Sequence, residues 1–130
     1  MRSALLIILC GITCVVCGTR EEVDVTSSMD LTPLAKEFVI LLSQEDYGGC
    51  VARFDQTMKN GLPEPKLQEA WNTVLSQAGG FQNQIGVRQT RESGYDIVYV
   101  TCQFEHSRID IKVVFNADQE VTGLWFRPAK

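Results

Sequence analysis

From Phe81 to Phe126 the apolar residues recur at every second position, and the interruptions are too short for anything but tight turns. This feature constrains the chain more than any other. Tyr95 to Glu105 is its clearest stretch. Val98, Val100, Cys102 and Phe104 share one face; Tyr95, Ile97, Tyr99 and Thr101 share the other. With both faces partly apolar, it reads as a central strand covered on both sides. Ile109, Ile111, Val113 and Phe115 alternate with Asp110 and Lys112, and Val121 to Phe126 supplies a further strand. Phe81 to Glu92 reads as a more irregular first strand around Ile85 and Val87. The connections are Ser93-Gly94, His106-Ser107-Arg108 and Asn116-Ala117-Asp118-Gln119. Strands joined this closely must pair antiparallel.

Upstream of Phe81 the period is helical. Leu31, Leu34, Ala35, Phe38, Val39, Leu41 and Leu42 recur at three and four, after a Thr32-Pro33 start signal. Tyr47, Val51, Phe54 and Met58 step by four, three and four, which predicts one second helix from Asp46 to the stop at Asn60-Gly61. Pro65 opens a third, with Leu67, Ala70, Trp71, Val74, Leu75 and Ala78 on one face and Gly79-Gly80 at its end. The predicted class is therefore α+β: three N-terminal helices packed on the concave side of a curved four-stranded antiparallel sheet, as a single domain over 31–128.

The N-terminus reads as an export signal over 1–18. Arg2 precedes an apolar run from Ala4 to Val16, too short for the roughly twenty residues of a membrane span and right for a signal peptide. Cleavage after Gly18 would leave an acidic, flexible tether over 19–30. Lipidation at Cys17 is the rival reading, although Val15-Val16 before it fits poorly; an uncleaved anchor is the third. Either way the expected location is secreted or cell-envelope, with membrane contact only through that N-terminus.

Removal of this segment would leave Cys50 and Cys102, which either form a disulfide in an oxidising compartment or stay as two separately buried thiols. The net charge of -4 argues against a phosphate-neutralising surface, so nucleic acid is not expected as a partner.

Certain local phrases also carry a resemblance. They are Asp46-Tyr47, Phe54-Asp55-Gln56-Thr57-Met58-Lys59, Leu62-Pro63, Leu67 with Trp71, Gly79-Gly80-Phe81, Tyr95-Asp96-Ile97-Val98-Tyr99-Val100 and Val121-Thr122-Gly123-Leu124. In this order and spacing, the stretch from Leu34 to Pro128 resembles the domain of unknown function 3887. The resemblance implies a secreted module, often found ahead of an α/β-hydrolase domain, and by analogy a cone-shaped fold of the nuclear-transport-factor or cystatin kind. It implies no catalytic residues. The chain carries no G-x-S-x-G elbow of its own.

Candidate chemistry is sparse. His106 is the lone histidine and sits in a connection, where a solvated side chain is expected. Asp96, Glu105 and Asp110 alternate with apolar residues and are expected on the solvent face. Tyr99 and Asp110 are the best available pair for a small cone-fold isomerase or hydrolase-associated enzyme, the alternative to binding. No metal or cofactor is implied. A non-catalytic binding module is the expected function, its ligand a small apolar molecule or a partner protein. Phe54, Trp71, Phe104, Phe115 and Trp125 are candidates for lining a pocket. Tyr95, Ile97 and Tyr99 are candidates for an interface, a homodimer included.

Overall fold

The computed structural model describes residues 29–129. The predicted signal segment 1–18, with Cys17, and the tether up to residue 28 lie outside the described residues. Four helices, α1 (Thr32–Ser43), α2 (Tyr47–Val51), α3 (Gln56–Gly61) and α4 (Glu64–Ala78), precede four strands, β1 (Phe81–Glu92), β2 (Tyr95–Phe104), β3 (Arg108–Phe115) and β4 (Val121–Pro128).

The first helix forms where its periodicity places it. The Asp30 carboxylate accepts hydrogen bonds from the Thr32 N–H (3.1 Å) and the Thr32 hydroxyl (2.7 Å), which satisfies a free donor at the helix start. Ala35, Phe38, Val39 and Leu42 are buried along one face.

The expected second helix is two. Asp46 accepts from the Gly49 N–H and Asp55 from the Met58 N–H, at 3.0 and 2.8 Å. Each aspartate caps a new helix, and a side chain used that way ends the one before it. Between them Phe54 is pinned by a parallel bridge to Val121. The Asp55 N–H donates to the Val121 carbonyl at 2.9 Å, and the Val121 N–H donates to the Arg53 carbonyl at 2.8 Å. Phe54 thus reaches the core from a bridge, and its spacing from Val51 and Met58 only mimics a helical face.

The Met58 N–H, with the Thr122 side chain, holds the Asp55 carboxyl below its ordinary range. A lowered folded value means that its contribution is present above the ordinary carboxylate pKa and lost as pH falls through the lowered one. Asp55→Ala should therefore lower stability by about 1 kcal/mol at neutral pH. As pH falls through that lowered value, the difference between the urea melts of variant and parent should shrink.

The sheet runs β1-β2-β3-β4, its strands antiparallel to their neighbours, and does not close into a barrel. The β1–β2 turn has positive φ at both Ser93 (53°) and Gly94 (85°), the form that matches strand twist in two-residue hairpins. Register breaks between Phe81 and Asn83 and between Gln84 and Gly86 account for the irregular look of β1.

The helices cover one face of the sheet. Val98, Val100, Cys102, Phe104, Ile111, Val113 and Phe115 meet Phe38, Leu42, Leu67 and Trp71 in one buried cluster. Trp71 is its hub: its ring centroid lies 5.7 Å from Phe104, 6.0 Å from Phe126 and 6.4 Å from Phe81.

Candidate functional site

The opposite face of the sheet carries the chemistry. Strand alternation and register place Arg88 of β1, Ile97, Tyr99 and Thr101 of β2, Asp110, Lys112 and Val114 of β3, and Trp125 and Arg127 of β4 on it together. Its buried apolar residues, Ile97, Tyr99 and Val114, form a cluster separate from the main core. Among the described residues no helix lies over them.

The expectation that β2 is covered on both sides by other elements is therefore corrected. What shields its second face is side chains of neighbouring strands. The Arg88 guanidinium lies 4.2 Å and the Arg127 guanidinium 4.8 Å from the Tyr99 ring centroid, and the Lys112 ammonium lies 5.0 Å from that of Trp125. Arginine stacks flat on such rings because guanidinium is planar and weakly hydrated. Tyr99 and Ile97 are thereby buried, while Tyr95 and Trp125 stay about half exposed. The Trp125 ring can lie low because Gly123 beneath it has no side chain: a Cβ there would come within 2.5 Å of the ring.

Asp110 also departs from expectation. It lies on the helix-free face, but it is only 4% exposed. The Thr101 hydroxyl donates to it at 2.6 Å, and an Arg88 nitrogen stands 3.8 Å from its other oxygen. A carboxylate removed from water needs such partners. It forms the floor of a hollow of about 280 Å³ lined by Arg88, Thr101, Arg127, Pro128 and Ala129.

The other acids do not join it. Asp96 points to the helix side of the sheet and pairs with Arg91 at 2.9 Å, so it is not on the solvent face either. Glu105 is exposed and accepts from the Gly80 N–H at 2.9 Å. His106 is exposed, with its N–H donating to the Ala78 carbonyl. Among the described residues no three His, Cys, Asp or Glu side chains gather as metal ligands.

The aromatic candidates divide. Phe54, Trp71, Phe104 and Phe115 are packed together in the core; Phe115 also lines a separate hollow of about 220 Å³ shared with Leu34, Phe38 and Arg53. Trp125 stands on the opposite face. Adjacent residues of a strand point to opposite sides, so the Trp125-Phe126 pair already held that signal. The same alternation groups Arg127 with Trp125, and Thr101 with Tyr99. The residues that sequence reasoning missed are Arg88 and Arg127, and what joins them is long-range register.

Residues 35–124 match the protein family described as protein of unknown function, DUF3887. The chain belongs to this family. The match runs from within α1 to the middle of β4, so it takes in Arg88, Tyr99, Thr101, Asp110 and Lys112 of the helix-free face, while Trp125 and Arg127 lie just beyond it. The DUF3887 domain here is also similar to Esterase EstD of Thermotoga maritima, at 25% identity over 92 residues. That alignment covers 71% of this chain and 22% of the esterase, so the chain spans about a fifth of the length of that relative. No solved structure matches the chain.

The two cysteines of the DUF3887 domain are free and buried. The Cys50 thiol lies 3.9 Å from the Phe38 carbonyl, and the Cys102 thiol lies 3.7 Å from the Val100 carbonyl. Of the two sequence readings, the structure has the separate thiols. Burial pushes both up to about 12, so neither offers a thiolate near neutral pH. Native protein at pH 8 should leave both unmodified by iodoacetamide, and denaturant should release both; labelling of the folded domain is read by mass. Because the folded values are raised, the thiols' contribution is complete below the unfolded value near 9 and is lost as pH rises toward 12.

Proposed function

We propose that this domain is a non-catalytic interaction module, exported to the cell surface or envelope, which holds an anionic partner protein against the uncovered face of its sheet. One observation carries the reading. In an acidic chain, this face concentrates Arg88, Lys112 and Arg127 around the aromatic rings of Tyr99 and Trp125. A half-exposed tryptophan beside a tyrosine stacked against arginines has the composition of an interface centre.

The same charges disfavour the homodimer. Two copies stacked face to face would set like cations against each other, and such juxtaposition opposes association. The similarity to a segment of an esterase makes a hydrolase the first partner to test.

A small enzyme with Asp110 as base and Tyr99 as donor is the second reading, favoured by the burial of Asp110 beside a hollow. Against it stand the partners of that carboxylate. A hydroxyl and a guanidinium already engage its two oxygens, and both guanidiniums lie against the Tyr99 ring.

A photo-reactive amino acid at position 125 in the full chain, expressed in its own cell, tests the proposal. It should give one discrete cross-linked species. The same group at Gln77, on the exposed side of α4, should give none, and the charge reversals Arg88→Glu and Arg127→Glu should abolish the adduct. Adducts from position 77 alone, or adducts at 125 indifferent to charge, would refute the reading.

A further inference from the structure

The hollow beside Tyr99 is more specific than a generally basic face. Its wall holds two guanidiniums, from Arg88 on β1 and Arg127 on β4, at opposite edges of the sheet. Both lie against the Tyr99 ring, at 4.2 and 4.8 Å from its centroid. Asp110 on the floor is committed to Thr101 and Arg88. Pro128 and Ala129 add an apolar rim.

Charge decides what could sit there. Two guanidiniums against one carboxylate leave a single positive charge in the hollow. A monoanion neutralises it, whereas a phosphate dianion would leave the site negative next to a buried carboxylate. Guanidinium offers parallel N–H donors that match the two oxygens of a carboxylate. Resting on the outward-facing proposal above, we infer that this hollow is a carboxylate-binding site, formed by Arg88 and Arg127 over Tyr99, and that it takes an organic monocarboxylate with an apolar or aromatic body. The group comes either as a free small acid or as the terminal carboxylate of a bound chain.

Asp110 is then a positioning residue. It fixes Arg88 and sets the site's net charge to that of a single anion. Its removal would leave two uncompensated cations and shift preference toward phosphate.

The full-length protein is titrated with sodium benzoate and followed by two-dimensional nitrogen–proton correlation spectra at constant ionic strength. Benzamide (the neutral analogue), inorganic phosphate and N-acetylphenylalanine are run beside it. Saturable benzoate shifts confined to residues around Arg88, Tyr99 and Arg127, with benzamide silent and phosphate weaker, are the expected result. Arg127→Gln should weaken binding about tenfold or more with little change in the thermal melt; Arg88→Gln should weaken it as much and also lower the melt, because it takes a partner from the buried Asp110. Tighter binding of N-acetylphenylalanine than of benzoate assigns the site to a chain terminus; the reverse assigns it to a free acid. In Asp110→Asn, phosphate should gain on benzoate, which a merely structural role for this residue would not produce.

Equal response to benzamide, or phosphate binding at least as tightly as benzoate to the parent, overturns the inference. The cross-linking at position 125 is independent of this outcome. Benzoate failure with intact cross-links removes the carboxylate site alone, and lost cross-links with saturable benzoate binding remove the partner surface alone.

Discussion

Trp71→Ala is expected to lower stability by about 3–5 kcal/mol, the range for truncating a fully buried large aromatic. Trp71 is 1% exposed and is the side chain through which α4 meets Phe81, Phe104 and Phe126, residues of three different strands. Its loss opens a void that the neighbours cannot fill without giving up their own contacts. For a domain of this size, the melting temperature should fall by more than about 10 °C. The companion Trp125→Ala removes an equally large ring from the other face, where it is 54% exposed. Its cost should stay below about 1 kcal/mol. Paired urea denaturation curves read both, and similar losses would mean that the two faces are not as different as described.

The second large effect is at the helix-to-sheet junction. Gly79 ends α4 with φ 87° and ψ -171°, a combination essentially confined to glycine. A Cβ there would lie 2.6 Å from the Glu105 Cβ and 2.8 Å from the His106 ring. The junction is tied by hydrogen bonds that such a clash would strain: the Glu105 N–H to the Gly80 carbonyl and the His106 N–H to the Ala78 carbonyl, at 2.9 and 2.8 Å. Gly79→Ala should therefore cost about 2–3 kcal/mol or more. Gly61, at the end of α3, has open space around it and an ordinary φ. Gly61→Ala should be neutral or slightly stabilising. Thermal melts of the two variants test the contrast, and equal behaviour would remove the geometric argument.

What was legible in the sequence follows from the range of the interactions. The strands, their antiparallel order and the α1 and α4 faces rest on local periods and turn residues, so α1, β2, β3 and β4 stand where alternation puts them. The split between α2 and α3 was not legible from spacing alone, because Phe54 is held by Val121, far away in sequence. Asp55 three residues before Met58 was the available hint, as an N-cap pattern. Asp110 shows the harder case. Alternation correctly set it opposite the helices, and exposure was inferred from that. Its burial depends on Arg88 and Thr101, which only the strand register brings beside it. The tie between the chain start and the sheet was likewise invisible: the Gln89 amide accepts from the Leu31 N–H at 2.8 Å and donates to the Met29 carbonyl at 2.9 Å. Nothing in the local sequence marks that glutamine.

The whole account depends on one side of the sheet being sealed and dry and the other open to water and cationic. The chain has two tryptophans, one on each side, so quenching of their fluorescence reads both sides at once. In Trp71→Phe, emission from Trp125 should be red-shifted, and iodide should quench it more strongly than caesium because Lys112 and Arg127 draw the anion in. In Trp125→Phe, emission from Trp71 should be blue and resist both ions and acrylamide. A blue, shielded Trp125 would mean that the face is covered, and an accessible Trp71 would mean that the core is hollow; either result contradicts the account.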